Sequence, residues 1–215
     1  MKLALAPLAA ALLGAACSGS DDQAERQQPA ALLTRAAHDR PGAVAGDPAR
    51  LERRRAALMS ALTPERLDAA ASIAGERQGW IVDRAQVLSD EAERALAARS
   101  QALEAATSDQ VMVVTVPQLG GMSIEEFALA LGNRWGIGRA DLDTGVLLLV
   151  APSERRVRVE VGCGLETVLT DARAAEIIAG MVELFRQGEV ERGIDAGLGE
   201  IEAALRARPE RRRAA

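Results

Sequence analysis

Two short stretches of this 215-residue chain set carboxylates directly beside glycines and apolar runs. "RADLDTGVLLLV" carries Asp141 and Asp143 ahead of Gly145, and "VGCGLETVLTD" carries Glu166 and Asp171 behind Gly162 and Gly164. Asp83 stands further upstream, in "WIVDRAQVLS". Acids in such places have three chemistries open to them. They can converge on a hard cation such as calcium, which takes several oxygens from loops that glycine lets bend sharply. Asp143-Thr144-Gly145 can be half of an aspartic-protease dyad. Or the acids can be solvated turn residues, with Asp171 in the first turn of a helix, where the dipole favours an anion.

The dyad fails on its own requirements. It needs a second Asp a few Å away from another lobe or subunit, and the chain has no second Asp-Thr-Gly. The apolar strand also follows Asp143 instead of leading to it. No Glu closes a twelve-residue calcium loop after Asp141, so an EF-hand is excluded. Gly-x-Ser-x-Gly is absent, and the single histidine, His38, lies in a polar stretch far from any strand pattern, which leaves serine and cysteine nucleophiles without a base. Gly136-Ile137-Gly138 and Gly162-Cys163-Gly164 lack the rest of a dinucleotide or Walker loop and read as turns where a side chain would clash. The cation and the solvated-turn readings both stay open.

The elements that must position these residues show in the hydropathy pattern. Val111–Val116 is a β-branched run closed by Pro117, and Gly145–Val150 is a second continuous apolar run; both read as buried strands. Val157, Val159 and Val161 alternate with Arg156, Arg158 and Glu160, a half-exposed strand that should form a hairpin with the one before it. Trp80–Val87 is an extended lead-in. Ser89, Ser123 (with Glu126 at capping-box spacing) and Thr170 open helices, Gly188 breaks the third, and Val190, Ile194, Leu198, Ile201 and Leu205 mark a last one. Asp47-Pro48 and Thr63-Pro64 open two short helices with thin apolar faces, the second stopped by Gly75. The pattern predicts an α/β fold: a three-layer α/β/α sandwich with a small mixed sheet, a single domain over about 79–207.

Residues 1–16 read as a targeting segment. Lys2 precedes an uncharged run from Leu3 to Ala16 that falls short of a bilayer span and ends in small residues, as in a secretory signal. Gly14-Ala15-Ala16-Cys17 resembles a bacterial lipobox with its leucine, Leu13, one place early, while Gly14 and Ala16 also suit the ordinary signal peptidase. The expectation is lipidation at Cys17, with Ser18 pointing to the outer membrane, and with Cys163 then the one remaining cysteine. Residues 17–78 are expected to form a lipid-anchored, partly helical linker, and 208–215 a basic tail. The net charge of −5, or −6 once Lys2 is removed, argues against a nucleic-acid partner.

"WIVDRAQVLS", "NRWGIG", "DTGVLLLVAP", "RVRVEVGCGLE" and "LTD" resemble, in order and spacing, the TPM domain, a family of thylakoid-lumen proteins tied to photosystem repair and of bacterial envelope proteins. The likeness covers about 79–207. It implies a sheet sandwiched between helices. It also implies calcium in an acidic depression, with the family's acidic positions falling on Asp83, Asp143, Glu166 and Asp171. Trp135, Gly136, Gly138, Gly145, Gly162 and Gly164 are its structural positions. Two departures stand out: the usual Asp-Asn-Gly is Asp143-Thr144-Gly145 here, and Cys163 replaces a common aromatic. Taken with the lipobox-like segment, the resemblance implies a periplasmic lipoprotein, anchored at the outer membrane through Cys17, that binds calcium or a partner protein of an envelope complex in an accessory, assembly or repair role. Its alternative is a weak metal-dependent acid phosphatase.

Overall fold

The computed structural model describes residues 62–139 and 141–208, with residues 56, 57 and 60 ahead of them. The expected signal segment, Cys17, most of the first short helix and the tail after Arg208 lie outside the described residues. The elements run α1 (Pro64–Ala74), β1 (Ile81–Asp83), α2 (Asp90–Thr107), β2 (Gln110–Thr115), α3 (Ile124–Trp135), β3 (Gly145–Ala151), β4 (Arg156–Val161), α4 (Asp171–Arg186) and α5 (Val190–Arg206). Single 3-10 turns sit at Pro152–Glu154 and Cys163–Leu165.

Local chemistry sets the helix starts. The side chains of Thr63, Ser89, Ser123 and Thr170 each accept a backbone N–H three residues on, satisfying a donor that the helix leaves orphaned. At Ser123 the box is reciprocal, since the Glu126 carboxylate accepts the Ser123 N–H at 2.9 Å.

The sheet order is β1-β2-β3-β4. β1, β2 and β3 are parallel, and β4 returns antiparallel to β3 as the expected hairpin. The lead-in at Trp80–Val87 thus supplies a short edge strand. Alternation through β2 and β3 divides the core. Val111, Val113, Val146, Leu148 and Val150 face α2, α4 and α5, while Met112, Val114, Leu147 and Leu149 face α1 and α3. Each half is filled by one wholly buried phenylalanine, Phe185 and Phe127 respectively. Such a ring contributes about 2–3 kcal/mol by leaving water. The three-layer arrangement is the one the sequence predicts.

Helix α1 lies in the segment expected to be linker, yet it packs on the domain. Ala70 and Ala74 are fully buried, Leu62, Leu67 and Ile73 rest on the α3 side of the core, and Arg66 pairs with Glu126 of α3. Its face looks thin in sequence because alanines make the contact, and small contact residues let helix axes approach closely.

The topology fixes where loops gather. Because β1–β3 are parallel, the exits of β1 and β2 share one end of the sheet. The entry to β3 and the exit from β4 share the other.

Candidate functional site

At the β3-entry end, three stretches of backbone lie against one another with no room for side chains. A Cβ on Gly138 would fall 2.4 Å from the Gly145 nitrogen, and one on Gly145 would fall 2.2 Å from the Ile137 carbonyl. On Gly162 it would meet the Asp143 carbonyl at 2.2 Å, and on Gly164 the Leu142 carbonyl at 2.0 Å. These separations are below any van der Waals contact, so the four glycines interlock the α3–β3 loop with the turn after β4. Gly162 N–H donates to the Gly145 carbonyl at 2.8 Å, and Gly138 N–H donates to the Gln110 side-chain oxygen at 2.9 Å.

Asp143 sits at the centre of this interlock. Its φ is +48°, a left-handed conformation that Asp tolerates better than most residues. Three hydrogen bonds hold it there. Its N–H donates to the Arg139 carbonyl at 2.7 Å, its carbonyl accepts the Gly164 N–H at 3.1 Å, and its Oδ2 accepts the Cys163 N–H at 2.9 Å. The residue is exposed and borders a cleft of about 320 Å³ whose other polar wall residues are Asn133, Arg139 and Glu160. Leu129, Ile137 and Leu147 form its apolar side, and Gly136 joins the other loop glycines in its lining. Gly136 also ends α3, with φ +60°. Trp135, half-buried, packs against the α3 side of the core, and its carbonyl accepts a guanidinium hydrogen bond from Arg77.

Asp141 does not line that cleft. Arg139 binds it through two nitrogens, at 3.1 and 2.8 Å, and this hydrogen bonding holds the Asp141 carboxyl below the ordinary aspartate range. Between the two acids, Leu142 is the exposed large apolar side chain among the described residues.

Glu166 and Asp171 are exposed and follow β4 at this same end, Glu166 closing the Cys163–Leu165 turn and Asp171 opening α4. Asp83 is elsewhere. It pairs in register with Thr115 at the exit of β1 and β2, separated from the Asp143 end by the length of β3, about 20 Å at the rise of a strand. Its two carboxylate oxygens bind within the fold: Oδ2 accepts the Leu88 N–H at 2.8 Å, and Oδ1 accepts the Thr115 hydroxyl. Glu93 lies close by, and its carboxyl is pushed above the ordinary range, first by burial and then by the charges of Asp83 and Asp90.

The donors at the Asp143 end are oxygens, which suit calcium or magnesium better than zinc or copper. Among the described residues no three His, Cys, Asp or Glu side chains already stand together as a metal cage. Of the candidate acids only Asp143 lines the cleft, so a cation held there would have to keep most of its water shell. Sequence reasoning passed over Glu160 and Asn133 as cleft walls. The alternation in β4 marks Glu160 as outward-facing, but only the fold shows that its face is roofed by α3.

Comparison with known proteins points one way. The sequence model of the TPM domain matches residues 81–204. The solution structure of the N-terminal domain of a protein from P. gingivalis is 30% identical, with a TM-score of 0.56, and the match covers 65% of this chain and 87% of that one. An N-terminal domain from Corynebacterium glutamicum is 16% identical over 60% of this chain and 81% of its own, with a TM-score of 0.49. A protein from the psychrophilic bacterium Bizionia argentinensis is 21% identical over 56% and 82%, also at 0.49. No functionally curated protein matches the chain.

Proposed function

The chain belongs to the TPM-domain family, and on that premise we propose that it is an envelope lipoprotein whose domain binds calcium at the Asp143 end of the sheet. The carrying observation is the glycine interlock, which fixes an exposed carboxylate beside an open cleft. Asp143 is the central ligand in this reading and water fills most of the shell, with Glu166 and Asp171, which do not stand together with it as a cage, acting from the neighbouring loops through that water. Asp83 serves the fold at the opposite end. When bound, the cation screens the acids and stiffens the loops that a partner protein of the envelope would meet, with Leu142 at their tip. With so few fixed carboxylates, the affinity falls in the weak class of extracellular calcium modules, on the order of 10⁻⁴–10⁻³ M. Lipid on Cys17 holds the domain at the periplasmic face of the outer membrane.

In a metal-assisted phosphatase the bound cation would itself meet phosphate oxygens, and a free protein cation would be wanted to share the developing charge. The two arginines nearest these acids in sequence are engaged: Arg139 with Asp141, Arg173 with Glu176 at 3.1 Å and with Glu200. That favours binding over hydrolysis. The test is a calcium titration followed by amide resonances. The reading expects saturable shifts at Asp143 and at residues 162–166, with none at Asp83. Shifts that stay absent, or that centre on Asp83, would end it. Labelling with radioactive palmitate should mark the wild type and not Cys17→Ser.

A further inference from the structure

Arg208 falls in the stretch whose composition suggests a tail, yet the fold buries it. Its side chain is 10% exposed and reaches in from the end of α5 to two groups. One guanidinium nitrogen donates to the Gly164 carbonyl at 2.7 Å. The other lies 3.7 Å from a carboxylate oxygen of Asp109, which is fully buried between α2 and β2. The Gly164 peptide is therefore held on both sides: its carbonyl by Arg208, its N–H by the Asp143 carbonyl at 3.1 Å. The preceding N–H, on Cys163, binds the Asp143 carboxylate.

We propose that Arg208 is a positioning residue for Asp143, acting through the Gly164 peptide, with buried Asp109 as the anchor that orients the guanidinium. Arg suits the task because its planar fork serves two acceptors at once, whereas a lysine ammonium offers no such fixed geometry. Arg208 in turn sets a positive charge 3.7 Å from the buried Asp109 carboxylate, where an unopposed charge would be costly. The Asp143 loop is thus tied to the last helix, across the sheet from α3. Only the expected effect on calcium affinity rests on the proposed function; the loop geometry does not.

The test uses the full-length chain, labelled with ¹⁵N, in four forms: wild type, Arg208→Gln, Arg208→Lys and the pair Asp109→Asn with Arg208→Gln. The pair removes the buried charge along with its partner, so that a folded protein remains to be measured. Hydrogen exchange at the Cys163 and Gly164 amides is read against the core amide of Val113. The expected result is exchange at least tenfold faster at Cys163 and Gly164 in Arg208→Gln and in the pair, with Val113 unchanged in the pair and Arg208→Lys recovering only part. Calcium affinity should fall by a similar factor. Cys163 and Gly164 amides that exchange as in wild type in the folded pair would overturn the proposal. If the wild type shows no calcium binding, the calcium reading fails, and the exchange rates still decide the role of Arg208.

Discussion

The two ends of the sheet use the same side chain in opposite ways. At the β1 exit, Asp83 spends its carboxylate on Leu88 and Thr115 and so ties the β1–α2 connection to β2. At the β3 entry, Asp143 is held by its own backbone and by Cys163, and it stands exposed beside a cleft. One acid builds the fold. The other is presented by it. Presentation depends on the glycines, because backbone packed on backbone gives a loop no side-chain freedom to lose.

The most severe way to break this contrast is at those glycines. Gly164→Ala and Gly145→Ala should each cost about 3 kcal/mol or more, since the nearest atoms are carbonyls that cannot rotate away. Gly180→Ala, exposed inside α4 with open space around it, should instead stabilise by about 1 kcal/mol. Urea midpoints check both. The acids themselves come next. Asp83→Ala strands the Leu88 N–H and the Thr115 hydroxyl and should cost about 2 kcal/mol. Asp143→Asn should stay within about 0.5 kcal/mol of wild type, because Asn can still accept from Cys163 and suits positive φ.

Two smaller effects sharpen the comparison by pH. Glu93 has its carboxyl raised by burial and by Asp83 and Asp90, so its ionised form weighs against the fold. Glu93→Gln should raise Tm at neutral pH, and the gain should start to shrink as pH falls through the raised Glu93 value and be gone below the ordinary glutamate value, where both states carry the proton. Glu126 is the opposite case, lowered by the Ser123 backbone bond and then by Arg66. Its contribution is present above the ordinary glutamate value and is lost as pH falls through the lowered one. Ser123→Ala removes the hydroxyl that caps the Glu126 N–H and should cost about 1 kcal/mol, while the pH-dependent part, which rests on the Ser123 backbone N–H, should survive it.

Much of this molecule is legible in sequence. β2 and β3 show as apolar runs of the right length and β4 as an alternating one, and each described helix start but α5's shows as a capping residue at the right spacing. The side to which Asp83 belongs is not legible from spacing. It follows only once β1 and β3 are known to be parallel, because an acid that leaves one parallel strand and an acid that enters another lie at opposite ends. α1 hides its packing face among alanines. Arg208 hides among tail arginines, since its partners, Asp109 and Gly164, are distant in sequence and a long-range ion pair has no periodicity. The glycine pattern is visible as punctuation, but its purpose is a set of backbone contacts that only the fold supplies.

Calcium titration by calorimetry of the full-length chain, beside Asp143→Asn and Asp83→Asn, tests the division of labour most directly. Saturable binding on the order of 10⁻⁴–10⁻³ M that is lost in Asp143→Asn and kept in Asp83→Asn is the expected result. Binding that survives Asp143→Asn, that disappears in a folded Asp83→Asn, or that is missing from the wild type at millimolar calcium would contradict it.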